Sequence, residues 1–61
     1  MKPIISFEEA LAKPEFSIAA WVEGHSKGAF IDGDMEIITI DEPDEEFMNE
    51  LKRHGISWWE E

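Results

Sequence analysis

The stretch from Asp41 to Ile56 constrains the fold of this chain most, because it carries the start and stop signals of one helix. Pro43 suits the first helical turn, where a backbone N–H has no partner to lose. Asp41 or Glu42 is the predicted cap. Acids crowd the start of this helix and bases its end, as the helix dipole favours. They are Asp44, Glu45 and Glu46, then Lys52, Arg53 and His54.

The same segment has an apolar stripe and a terminator. Phe47, Met48 and Leu51 fall on one face of the predicted helix, so we expect them to pack on a sheet. Gly55 supplies the left-handed residue that ends a helix, and Ile56 can then fold back onto Leu51. These features predict the main helix of the protein.

A shorter helix is predicted near the beginning of the chain. Ser6 and Glu9 match the S-x-x-E capping box, in which a serine hydroxyl caps the first turn. Pro14 ends this helix, since the residue before a proline avoids helical conformation. At the other end of the chain, residues 57–59 are expected to form a short strand or a tail across the sheet.

Between the two helices, alternation of apolar residues predicts a three-stranded antiparallel meander. Its predicted strands are Phe16–Glu23, Ala29–Ile31 and Met35–Ile40. The Asp32-Gly33 pair favours a hairpin turn. A two-residue turn places Phe30 opposite Met35, whereas a three-residue turn shifts that pairing, so the sequence leaves the register open.

These elements predict a single α+β domain over residues 1–61, with the main helix packed on an antiparallel sheet. A chain of this length buries a small core, and it has no cysteine to form a disulfide. Neither a signal peptide nor a membrane span is visible, so we expect a cytoplasmic protein that contacts no membrane.

Catalytic and metal-binding motifs are not predicted. The loop Gly24–Gly28 contains lysine and serine but lacks the order of a phosphate-binding loop, and His25 beside Ser26 has no third group to orient it. Asp32, Asp34 and Glu36 have the spacing of a calcium loop, but the glycine and bidentate glutamate that should follow are missing. We therefore expect a non-enzymatic protein without a cofactor.

Charge is the strongest functional signal. The net charge is −10, and residues 28–51 hold nine acids and no lysine or arginine. Such a field repels nucleic acid and attracts basic proteins. It also has a simpler interpretation, because acids aid solubility and stabilise helix starts.

The spacing of these acids suggests mimicry of nucleic acid. Carboxylates two residues apart on a strand, or at i and i+4 on a helix, lie roughly 6 to 7 Å apart, similar to neighbouring phosphates. In type, the chain is similar to the small acidic phage proteins that block host nucleases or CRISPR complexes. That likeness implies an inhibitor whose partner is a basic, nucleic-acid-binding protein. The predicted partner-binding acids are Asp34, Glu36, Asp44, Glu45, Glu46 and Glu50.

An apolar surface is the alternative binding site. The predicted sheet has apolar residues on both faces, and one helix covers only one of them. Trp21, Ile38, Ile40 and one of Trp58 or Trp59 are expected to form an exposed patch. Trp21 is the residue predicted to contact a partner there, either another protein or a second copy in a homodimer.

Overall fold

The order of helices and strands is that of an α+β protein, as predicted. The computed structural model describes residues 1–60. Its elements in chain order are β1 (Pro3–Ser6), α1 (Phe7–Ala12), α2 (Ile18–His25), β2 (Gly28–Asp32), β3 (Ile37–Asp41), α3 (Glu45–Arg53) and β4 (Trp59–Glu60). Among the described residues, none of the helices has the length and hydrophobicity that a membrane span requires.

Within the described residues the sheet has four antiparallel strands in the order β2-β3-β1-β4, not the predicted meander. Strand β1 lies in the middle, where Ile4 pairs with Thr39 on one side and with Trp59 on the other. Strand β1 was not predicted because four residues are too few to show a periodicity, and because its partners are distant along the chain. The C-terminal strand, one of the two predicted forms of that segment, is β4.

Helix α2 replaces the strand predicted at Phe16–Glu23. The Ser17 hydroxyl accepts a hydrogen bond of 3.2 Å from the backbone N–H three residues later, so it caps a helix. Ile18 is buried, and Trp21 and Val22 are half-buried. These three follow the i, i+3, i+4 spacing of one helical face. The predicted strand was wrong. In this segment the apolar residues fit both the alternation of a strand and the spacing of a helical face, and local propensity did not decide between them.

The hairpin between β2 and β3 has a longer turn than either predicted form. Asp32 pairs with Ile37, so the turn contains the four residues 33–36. The Asp32 carboxylate accepts hydrogen bonds of 3.0 Å from the backbone N–H groups of Asp34 and Met35. This side-chain capping holds the wider turn, and strand β3 therefore begins two residues later than predicted.

Helix α3 was predicted correctly, but its cap was not. Asp44 is the N-cap residue, and its Oδ1 accepts a hydrogen bond of 2.8 Å from the N–H of Phe47. Asp41 ends strand β3, and Glu42 turns the chain with a positive φ of 51°. Asp41 and Glu42 therefore belong to the strand and to the turn that follows it, and the N-cap is the residue after Pro43.

The end of α3 has the predicted left-handed glycine. Gly55 has a φ of 70°, and its N–H donates to the carbonyl of Lys52 at 3.1 Å. The N–H of Ile56 donates to the carbonyl of Leu51 at 2.9 Å. These two bonds define a Schellman cap, which turns Ile56 back into the core.

The core lies between α3 and one face of the sheet, as predicted. Phe47 and Leu51 are completely buried and Met48 is nearly so. They pack in one cluster with Ile5 of β1 and Ile40 of β3, which are also completely buried.

Helix α1 is tied to the C-terminal segment. The Ser6 hydroxyl caps the helix by accepting from the N–H of Glu9 at 3.1 Å, as the capping box predicts. Within the described residues, the Glu9 carboxylate does not accept the second hydrogen bond of the capping box, from the N–H of Ser6. It accepts instead from the N–H of Ser57 at 2.8 Å, which fixes the approach to strand β4.

Candidate binding surfaces

The acidic residues, which are continuous in the sequence, separate into two groups in the structure. Asp34 and Glu36 lie in the turn before β3. Glu45 and Glu46 lie at the start of α3, beyond the opposite end of β3. A five-residue strand spans roughly 16 Å, so the structure does not bring the predicted acids into one cluster.

Asp44, a predicted partner-binding residue, is engaged within the protein. Its Oδ1 caps α3, and its Oδ2 lies 2.8 Å from Nδ1 of His25. The pKa of Asp44 is lowered, mainly by the hydrogen bond from the Phe47 N–H and further by His25. The carboxylate therefore has a structural role at the helix start.

Glu50 is also engaged. The Arg53 guanidinium donates to both of its carboxylate oxygens, with Nη2 at 2.9 Å from Oε1. This hydrogen bonding lowers the pKa of Glu50 and raises that of Arg53. The i, i+3 spacing of the two residues is visible in the sequence and would have predicted the pair. Glu50 is thus partly neutralised and is a weaker phosphate mimic than its sequence position suggested.

The four remaining predicted acids are exposed: Asp34, Glu36, Glu45 and Glu46. Within residues 1–60, no ion pair joins any of them to a lysine, an arginine or a histidine. Glu36 has a φ of 56°, and its carbonyl accepts from the N–H of Phe7 at 2.9 Å. That bond anchors the turn to the start of α1.

Trp21 does not form the centre of an exposed apolar patch. Its ring centroid lies 6.0 Å from those of Phe16 and Phe47, and 4.3 Å from that of His25. Ile40, the other end of the predicted patch, is completely buried. The predicted position of the patch was wrong because α2 packs here as a helix. That Trp21 contacts a partner stays a prediction.

Exposed apolar side chains are found instead on β2, an edge strand. Phe30 is 68% exposed and Ile31 is 66% exposed. Because they are consecutive in a strand, they project from opposite faces of the sheet. On the helix side, a groove of about 490 Å³ separates β2 from α1 and α2, and Ile31 and the exposed Leu11 line it. This surface was not predicted because the alternation of apolar residues does not show which strand lies at an edge of the sheet.

In the part of the chain that the structure describes, no three or more histidine, aspartate or glutamate side chains are placed to hold a metal ion. The structure therefore offers two kinds of surface, exposed carboxylates and an apolar sheet edge. Comparisons with protein-family models, with curated proteins and with solved structures found no match to this chain.

Proposed function

We propose that this protein is a small, non-enzymatic inhibitor that occupies the basic cleft of a nucleic-acid-binding protein. The supporting observation is that Asp34, Glu36, Glu45 and Glu46 are exposed and have no intramolecular ion pair among residues 1–60. Lysine and arginine side chains that normally hold phosphates would bind these carboxylates. The proposed target class is a host nuclease or CRISPR complex, as in phage counter-defence.

The separation of the two acidic groups fits a duplex better than a single strand. The length of β3, roughly 16 Å, separates them, and this is comparable to the width of the B-DNA major groove, about 12 Å. The turn group, Asp34 and Glu36, would mimic phosphates on one side of a groove. The α3 group, Glu45 and Glu46, would mimic phosphates on the other side. Asp44 and Glu50 contribute to the field but already have intramolecular partners.

The experiment has two steps, because capturing a protein from a lysate identifies a partner without showing how it binds. The chain is first immobilised, and bacterial proteins that bind at low salt and elute at high salt are identified. A captured nucleic-acid-binding protein is then tested for competition between this chain and a labelled DNA duplex. Mimicry predicts mutually exclusive binding, with an affinity for the chain that falls as salt increases.

A matched pair of variants separates the proposed site from general charge. Replacing Glu36, Glu45 and Glu46 by Gln removes three charges from the proposed site. Replacing the exposed residues Glu8, Glu23 and Glu60 by Gln removes three charges elsewhere. We expect the first variant to bind at least about tenfold more weakly and the second to remain within about threefold of the original. Equal affinities for the two variants, or simultaneous binding of DNA and the chain, would refute the proposal.

A further inference from the structure

We infer that two copies of this chain associate by antiparallel pairing of their β2 strands, which makes one continuous eight-stranded sheet. The two edges of the four-stranded sheet are β2 and β4. Up to residue 60, where the description ends, strand β4 comprises two residues, and short edge strands of this kind discourage pairing. Strand β2 has five residues and no proline. The N–H and C=O of Gly28 at its start bond to the Ser26 hydroxyl, so pairing with another strand would centre on Phe30.

The side chains of β2 favour burial against another strand. Phe30 and Ile31 are mostly exposed, on opposite faces, so both faces of this edge are apolar. Antiparallel pairing around a twofold axis at Phe30 places the two Phe30 rings side by side. It also places Ala29 of each copy opposite Ile31 of the other, next to the apolar groove lined by Leu11.

Local charge complementarity at the two ends of β2 favours a second copy of the same strand as the occupant. Lys27 precedes β2 and Asp32 ends it, and both lie near Phe30 on the same face of the sheet. In the proposed register, Gly28 lies opposite the partner's Asp32, so Lys27 lies beside that carboxylate. The twofold axis repeats the contact, which gives two ion pairs at the ends of an apolar centre.

Salt distinguishes this association from the proposed inhibition. Each copy has a net charge of −10, so two copies repel each other, and this repulsion outweighs two exposed ion pairs. Salt screens the repulsion without weakening apolar burial. We therefore expect self-association to strengthen as NaCl rises from about 20 mM to about 300 mM, whereas binding to a basic partner weakens.

Sedimentation velocity over a range of protein concentrations tests the association, and two matched variants test its location. Phe30→Lys puts a charge in the centre of the pairing strand and should raise the dimer Kd at least about tenfold. Trp59→Lys makes the same change in charge at the opposite edge, where Trp59 is half exposed, and should leave the Kd within about threefold. Circular dichroism establishes that both variants are folded.

An NMR titration of the unmodified chain gives an independent readout. As its concentration increases, backbone amide shifts should move in residues 28–32 and not in residues 59–60. A monomer at all concentrations and at high salt would overturn the inference. Equal effects of Phe30→Lys and Trp59→Lys, or shifts confined to β4, would overturn it as well.

Discussion

Among residues 1–60, two glutamates have backbone conformations that glycine adopts more readily. Glu36 has a φ of 56° and Glu42 a φ of 51°, both in the left-handed region. For a residue with a Cβ this conformation costs roughly 1–2 kcal/mol relative to the right-handed one. Glu36 is the more useful for an experiment, because its side chain is exposed and its carbonyl holds the turn to Phe7.

Glu36→Gly should therefore stabilise the protein by about 0.5–1 kcal/mol, since relief of the left-handed strain exceeds the entropy that glycine adds to the unfolded chain. Glu36→Ala is the matched control, because it removes the same charge and keeps the Cβ. Urea unfolding of both variants measures the difference. An equal gain in the two would show that charge repulsion, and not conformation, is the cause.

Asp44 links the stability of the protein to pH. Its pKa is lower in the folded protein than in the unfolded chain, so its ionised form favours folding. That contribution is complete above the unfolded pKa, about 4, and is lost as pH falls through the lower folded value. Asp44→Asn retains a capping oxygen without titrating. Urea unfolding at neutral pH and at about pH 3 should show a smaller acid-induced loss for this variant than for the original chain.

Glu23→Gln serves as the control for that measurement, since Glu23 is exposed and caps no helix. This control should keep the pH dependence of the original chain. If Asp44→Asn lost as much stability in acid as the control, Asp44 would not be a source of the acid sensitivity.

At the scale of elements, α3 supplies three of the nine buried hydrophobic residues within residues 1–60, and one substitution on its buried face should be decisive. Leu51→Ala removes a completely buried side chain and should cost about 2–5 kcal/mol. A domain of this size has about 3–5 kcal/mol of stability, so much of the population would unfold. Leu11→Ala makes the same chemical change at a site 78% exposed, and should alter stability by no more than about 0.5 kcal/mol.

Thermal and urea unfolding followed by circular dichroism measure both leucine variants. The contrast between them tests the packing of α3, because helix propensity changes equally in the two. Similar losses at the two sites would contradict the assignment of Leu51 to the core.

Helices α1 and α3, whose signals are local, were predicted, whereas α2 was not, because its residues fit both a helix and a strand. A strand defined by distant partners was missed as well. Helix α3 was predicted because its apolar stripe and the glycine that ends it lie within one short segment. In the same way, the capping residue Ser6 marked the start of α1. Strand β1 was missed because its identity depends on pairing with β3 and β4. For the proposed site, the exposed acids are visible in the sequence. It did not show that His25 would meet Asp44, since 19 residues separate them along the chain.

At the scale of the whole molecule, the distance between the acidic groups decides how they act. At physiological ionic strength the Debye length is about 8 Å, half of the roughly 16 Å that β3 spans. The turn group and the α3 group are therefore largely screened from each other. Each would bind its own basic residues on a partner, so removing one group should weaken binding without abolishing it.

The central position of β1 also governs when the sheet can form. During synthesis the first 36 residues contain β1, α1, α2 and β2, but neither of the strands that pair with β1. The apolar residues Ile4 and Ile5 must remain unpaired until residues 37–41 are available, and β4 follows only after α3. Because the pairings of β1 join residues far apart in sequence, folding must close long loops before the sheet is stabilised. A nascent chain that stops before β3 would therefore expose an unprotected strand, and aggregation would compete with folding at that stage.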